Sequence, residues 1–192
     1  MTQPAKVLAP VDVRRLLEHV DHGRFAARNI AMVLLSFKAG LRACEIAGLS
    51  WEMVCNARGG VDSILTIAGT IAKNGRGRRI PVHPALHNAL ARLHRAAGRP
   101  TAGAVIQSQR RTHMSAGSVV NWFTAIFREV GLNGCSSHSG RRTFITQAAR
   151  LIAKTGGSLR DIQELAGHAD LATTERYIEC DREAQRKLVR LL

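Results

Sequence analysis

The hydrophobic period of this 192-residue chain changes once and then changes back, and that constrains its fold more than any other feature. In the first part, apolar residues recur at helical spacing: Val13, Leu16, Leu17 and Val20 after Pro10, then Ile30, Val33, Leu34 and Phe37 from about Phe25 up to Gly40. Pro10 suits a first helical turn, where its missing N–H is no loss. Asp21-His22-Gly23 ends that helix, and a short third helix, Ala43 to Ala47, stops at Gly48. From Val61 to Ile71 the chain becomes rich in Val, Ile, Leu and Thr, and Arg79-Ile80-Pro81-Val82 is a second extended run. Lys73-Asn74-Gly75-Arg76-Gly77-Arg78 lies between them. Asn-Gly is a strong turn signal, so the segment reads as a hairpin with a basic tip. Pro81 cannot donate to a ladder and belongs near a strand end or on a sheet edge.

Helical spacing then returns. One helix spans Pro84 to Ala97 and is broken by Gly98-Arg99-Pro100. Another, from about Ser115 to Val130, carries Val119, Phe123, Ile126 and Phe127 and stops at Gly131. The next runs from Ser139 to about Lys154, before Gly156-Gly157. Ser158 is the expected N-cap of Leu159 to Leu165, with Asp161 near the positive end of that helix. Gly167 ends it, and a further helix carries Thr173 to Glu179. The tail from Glu183 to Leu192 is amphipathic, with Leu188, Leu191 and Leu192 forming its apolar face. The chain therefore reads as one mainly α domain with a small antiparallel β-sheet, an α+β fold without internal repeats.

Charge narrows the function. Lys plus Arg number 28 and Asp plus Glu 14, a net charge of +14. Such an excess points to a polyanion, because cations that neutralise phosphates release condensed counterions. The apolar fraction of 45% is that of a globular protein. The cysteines, Cys44, Cys55, Cys135 and Cys180, form no Cys-x-x-Cys pair, which argues against structural zinc. The longest apolar run, Ile30 to Leu35, is too short to span a bilayer, and no secretory signal opens the chain. These features fit a reduced cytoplasmic compartment, in association with the nucleoid.

Several separated motifs suit a phosphate. In Gly40-Leu41-Arg42-Ala43-Cys44-Glu45, Arg42 stands at a helix start with Glu45 on the same face. An arginine held by a carboxylate is pre-oriented, and its planar fork matches two phosphate oxygens. Lys73 lies on the hairpin tip with Arg76, Arg78 and Arg79. His138-Ser139-Gly140-Arg141 opens a helix, where unpaired N–H groups and the dipole attract anions. His168 follows Gly167 at a helix break, and Tyr177, the chain's one tyrosine, comes nine residues later. Taken singly, each has a commoner explanation: a surface ion pair, a solvated basic loop, a satisfied core histidine, a packing tyrosine.

In order, Arg-x-x-Glu, Lys in a basic hairpin, His-x-x-Arg, Gly-His and a tyrosine form a signature that resembles the tyrosine recombinase (phage integrase) family, from about Leu8 to Tyr177. The resemblance implies a catalytic domain over residues 1–180, and a tail over 181–192 that could pack on a neighbouring protomer. It also implies that the family's separate N-terminal core-binding domain is missing from this chain. By that resemblance Arg42, Lys73, His138, Arg141, His168 and Tyr177 are catalytic, Glu45 supports them, and Arg76 and Arg78 contact double-stranded DNA, on which the family assembles as tetramers. Gly140 stands where the family commonly has leucine, Arg142 where histidine is common, Ala166 where leucine usually precedes Gly-His, and Ala39 where threonine is frequent.

The implied activity is site-specific cleavage and rejoining of DNA through a 3′-phosphotyrosyl link. A tyrosine phenol has an ordinary pKa of about 10, so making the anion at pH 7 costs roughly 4 kcal/mol, and cations lower that cost. Two arginines and a histidine on the phosphate supply electrostatic stabilisation, with Lys73 as proton donor to the 5′ oxygen and His138 as base. The acidic residues are scattered, unlike those of two-metal nucleases, and no phosphate-binding Gly-x-x-x-x-Gly-Lys-Ser/Thr loop occurs, so neither metal nor ATP is expected. The competing readings are a type IB-like topoisomerase and a catalytically inactive basic DNA-binding protein.

Overall fold

The computed structural model describes residues 5–109, 112–177, 186, 189 and 190. Helix α1 (Pro10–Asp21) starts at its proline and buries Leu16 and Val20. Helix α2 (Ala26–Lys38) buries every residue from Ala31 to Phe37. A helix apolar on all sides belongs inside, and α2 is packed against α1, α4 (Pro84–Ala96) and α6 (Ser139–Leu151). The short α3 (Ala43–Gly48) lies on α5 (Ala116–Glu129). Leu35, Leu41, Trp51, Ile67, Leu90, Phe123 and Phe127 belong to the main core that these elements enclose.

The hairpin sits within this helical frame. Strands β1 (Ile64–Ile67) and β2 (Arg78–Pro81) pair antiparallel, with Ile64 opposite Pro81 and Ile67 opposite Arg78. Leu65, Ile67 and Ile80 point into the core, and Pro81 falls at the strand end, where it disturbs least. The first strand is shorter than the apolar run suggests. After Ile67 the amides of Ile71, Ala72 and Gly75 bond back to Ala68, Gly69 and Ala72 at 3.3, 3.2 and 3.0 Å. These successive turns curl the chain out of the ladder. Asn74-Gly75 therefore lies inside a long basic loop and does not close a tight two-residue hairpin.

Helix α6 crosses α2 at Gly140. A Cβ at that position would collide with the Ser36 hydroxyl and lie 2.9 Å from the Phe37 ring, so a larger side chain has no room here. The helix ends at Leu151 and tightens into a 3-10 turn, Ile152–Thr155, short of a single helix to Lys154. Helix α7 (Leu159–Ala166) opens with Ser158 N–H donating to the Asp161 carboxylate at 2.6 Å. Helix α8 (Leu171–Glu175) starts two residues before the expected Thr173, because Asp170 caps it by accepting from Thr173 N–H at 2.8 Å. A second, smaller apolar cluster joins α6 to α7: Ile145, Ile162 and Ala166 at its centre, with Phe144, Ala148, Leu159 and Tyr177 around them. Cys180, Leu188, Leu191 and Leu192, and with them most of the expected tail, lie outside the described residues. Among the described residues no helix is long and apolar enough to cross a membrane.

Candidate active site

Glu45 is the fixed point of the site. Its side chain is fully buried, between two arginines. Arg42 donates its backbone N–H to Oε2 at 2.8 Å and a guanidinium N–H to Oε1 at 3.1 Å. Arg78, from the start of β2, donates to Oε1 and Oε2 at 2.7 and 2.9 Å and through Nε to the Leu165 carbonyl at 3.0 Å. Burial alone would raise the Glu45 pKa, but the hydrogen bonds and charge of Arg78, with those of Arg42, outweigh it and hold the carboxyl below its ordinary range. Arg78 thus differs from the expected DNA contact. Its side chain is 7% exposed and turned inward, tying the hairpin to α3 and to the C-terminal end of α7. Only a planar five-donor fork can serve a carboxylate bidentately and a carbonyl at once.

Arg141, in the first turn of α6, is 3% exposed. It donates to the carbonyls of Gly40 and Ala166, both at 2.6 Å. Gly40 can present its carbonyl because it turns through φ +64°, and a Cβ there would lie 2.5 Å from the Phe144 ring. Burial, then repulsion from Arg42, pushes the Arg141 pKa down to about 10. It remains a cation at neutral pH, and among the described residues three of its five N–H donors are left for another acceptor.

His168 follows α7 and is buried. Its Nδ1 lies 2.9 Å from the hydroxyl of the fully buried Thr174. Burial, then the charges of Arg141 and Arg42, lowers its pKa to about 4, so the ring is neutral at pH 7. Tyr177 is half-buried, and its ring stacks on that of His168 with centroids 5.5 Å apart and planes 22° from parallel. The Arg142 guanidinium lies 5.6 Å from the Tyr177 ring centroid. His138, exposed just before α6, is held below the usual histidine pKa by partial desolvation and by the charges of Arg141, Arg42 and Lys73. Lys73 and Arg76 are exposed on the basic loop. A groove of about 450 Å³ lies between that loop and α7, lined by Arg76, Arg79, Arg160, Gln163 and His168 among others.

The fold therefore brings Arg42, Glu45, His138, Arg141, His168 and Tyr177 into one neighbourhood, with Lys73 near enough for its charge to act on His138. Sequence reasoning missed Thr174 and the structural use of Arg78. It noticed Arg142 only as a departure from pattern. A threonine three residues before the tyrosine gives no distinguishing signal, and Arg78 is one of several arginines in a basic run. Among the described residues no group of three or more His, Cys, Asp or Glu could hold a metal ion, and Cys44, Cys55 and Cys135 are free thiols.

A model of the phage integrase family matches residues 6–184 of the chain. The chain belongs to the phage integrase family. Among similar family members, tyrosine recombinase XerC of Brucella melitensis biotype 1 is 31% identical over 196 residues, covering 92% of this chain and 55% of that protein. XerC of Mesorhizobium japonicum is 31% identical over 171 residues, covering 81% of this chain and 48% of that protein. The chain thus spans about half the length of these curated relatives. The fold is also that of solved recombinase and integrase structures. The XerA recombinase superposes with a TM-score of 0.74 at 22% identity, over 97% of this chain and 65% of that one. The Tn1549 transposon integrase, solved with transposon right end DNA, superposes with a TM-score of 0.77 at 16% identity, over all of this chain and 67% of that one.

Proposed function

We propose that this chain is the catalytic part of a site-specific DNA recombinase that cuts and rejoins strands through a covalent tyrosyl link, with no need of metal or ATP. The observation that carries the reading is Arg141: a buried cation, fixed by two carbonyls, with free donors beside the stacked His168–Tyr177 pair. Arg42 and Arg141 bind the two non-bridging oxygens of the scissile phosphate. Both are oriented before substrate arrives, the condition under which electrostatic stabilisation is strongest. A Thr174 hydroxyl donating to Nδ1 of His168 leaves Nε2–H as a third donor to the phosphate.

The Tyr177 phenol oxygen attacks phosphorus, and the phosphorus–O5′ bond breaks as the 3′-phosphotyrosyl ester forms. The phenol proton passes to His138, whose lowered pKa keeps it neutral and able to accept. Lys73 donates a proton to the departing 5′ oxygen. Rejoining reverses these transfers with a different 5′ hydroxyl, so the ester conserves the bond energy. The exposed Arg76 follows the DNA backbone, and the 181–192 tail couples protomers of a tetramer on DNA. The similarity to tyrosine recombinases, and the DNA in the Tn1549 integrase structure, support the same reading.

The test uses a pool of nicked duplexes of randomised sequence, incubated in EDTA without nucleotide. An SDS-resistant protein–DNA adduct is expected from the wild type and none from Tyr177→Phe, with DNA binding retained. No adduct with tight binding would favour the inactive binder. Relaxation of supercoiled DNA without joining of two sites would favour the topoisomerase.

A further inference from the structure

The ring of Tyr177 is contacted by two side chains of different chemistry. His168 stacks on it, and the guanidinium of Arg142, one residue beyond the phosphate-binding Arg141, lies 5.6 Å from its centroid. Arg142 is half-buried and, among the described residues, pairs with no carboxylate. Its charge is thus directed at the ring, the geometry in which a cation is attracted to an aromatic quadrupole. Backbone hydrogen bonding fixes its origin, since Arg142 N–H donates to the His138 carbonyl at 2.9 Å. The same α6 turn therefore carries the proposed base, one phosphate clamp and this third group. Tyr177 itself lies just beyond the short α8, on the small apolar cluster and outside the main core.

We infer that Arg142 is the positioning residue of the nucleophile: it holds the Tyr177 ring against His168, aimed at the phosphate bound by Arg141. The inference rests on the reading of Tyr177 as the attacking group. It also gives Arg142 a task that a solvated cation would not have.

Because Tyr177 is the only tyrosine, ¹³C-tyrosine labelling reports its ring alone in an NMR spectrum. Arg142→Met keeps length and removes charge, Arg142→Lys keeps a cation, and Arg142→Gln is a second uncharged variant should the methionine form not fold. The expected result is displaced ring signals in Arg142→Met and near wild-type signals in Arg142→Lys. Single-turnover adduct formation should fall about tenfold in Arg142→Met, the effect of losing one cation–π contact, with DNA affinity unchanged and the rate largely restored in Arg142→Lys. Unchanged ring signals in Arg142→Met would overturn the inference. So would equal rates in the Lys and Met variants, or a loss of DNA affinity matching the loss of rate, which would make Arg142 a phosphate ligand. If the wild type forms no adduct, the recombinase reading fails by itself, while the NMR arm still decides whether Arg142 holds the ring.

Discussion

With Glu45 fully buried between Arg42 and Arg78, loss of either guanidinium leaves a carboxylate with half its compensation. Breaking such a buried pair costs about 3–5 kcal/mol. Arg78→Ala should therefore lower unfolding stability by about 3 kcal/mol in urea titration and abolish cleavage. Arg76→Ala, two residues away but exposed, should change stability by less than about 0.5 kcal/mol and weaken DNA binding alone. His168 sets the pH response. Its folded pKa of about 4 lies below the ordinary 6.5, so the unfolded chain takes up the proton first. Its contribution is complete above about pH 6.5 and is lost as pH falls toward 4, on the order of 3 kcal/mol in all. Glu45 has the opposite charge and the same direction: its depressed pKa gives stability above about pH 4.5 that is lost on further acidification. Urea midpoints from pH 7.5 to 3.5 should fall in two stages, and His168→Gln should lack the first.

At the scale of elements, the α2–α6 contact decides how Arg141 is delivered. The two helices meet so closely at Gly140 that any side chain would displace one of them. Gly140→Ala should cost about 1–3 kcal/mol by overpacking and lower cleavage more than DNA binding, since Arg141 would shift from the carbonyls of Gly40 and Ala166. The facing Ser36 hydroxyl is buried and, among the described residues, has no hydrogen-bond partner. An unsatisfied buried hydroxyl carries a desolvation penalty of about 1–3 kcal/mol. Ser36→Ala should therefore raise the thermal midpoint without altering activity. The hairpin has a comparable role: β2 is short, but its first residue, Arg78, ties α3 to the end of α7.

For the whole molecule, the charge of +14 would, under the proposed function, govern encounter with DNA. If the chain neutralises about six or more phosphates, affinity should fall about a thousandfold or more between 50 and 200 mM salt. A log–log plot of affinity against salt measures that number, and a flat plot would remove the polyanion argument. The candidate site also draws on both apolar clusters, with Arg42 and Glu45 beside main-core residues Leu41 and Ile46. The large cluster around α2 carries most of the burial, whereas Tyr177, on which His168 stacks, rests on the small cluster of Ile145, Ile162 and Ala166. Local opening of that smaller unit should precede global unfolding in hydrogen exchange, with amides of α7 and α8 exchanging before those of α2.

Among the described residues, the order of the helices, the single hairpin and the ordered cations were legible in the sequence, because period, caps and turn residues act over a few neighbours. The same local rules placed Pro10 at a helix start, Ser158 with Asp161 at another, and Arg42 with Glu45 on one face. They failed where distant segments decide. A long β-branched run forecast a strand to Ile71, but turn bonds ended it at Ile67. Arg78 and Arg76 look alike in sequence, and only packing turned one inward to Glu45 and left the other in water. Thr174 against His168, Arg142 against Tyr177 and the closeness of Gly140 to Ser36 likewise join residues whose contact depends on helix crossings. The sequence determined which groups the site has. The tertiary structure alone decided their pairing, because burial, hydrogen-bond geometry and charge compensation are properties of the assembled fold and not of any local stretch of chain.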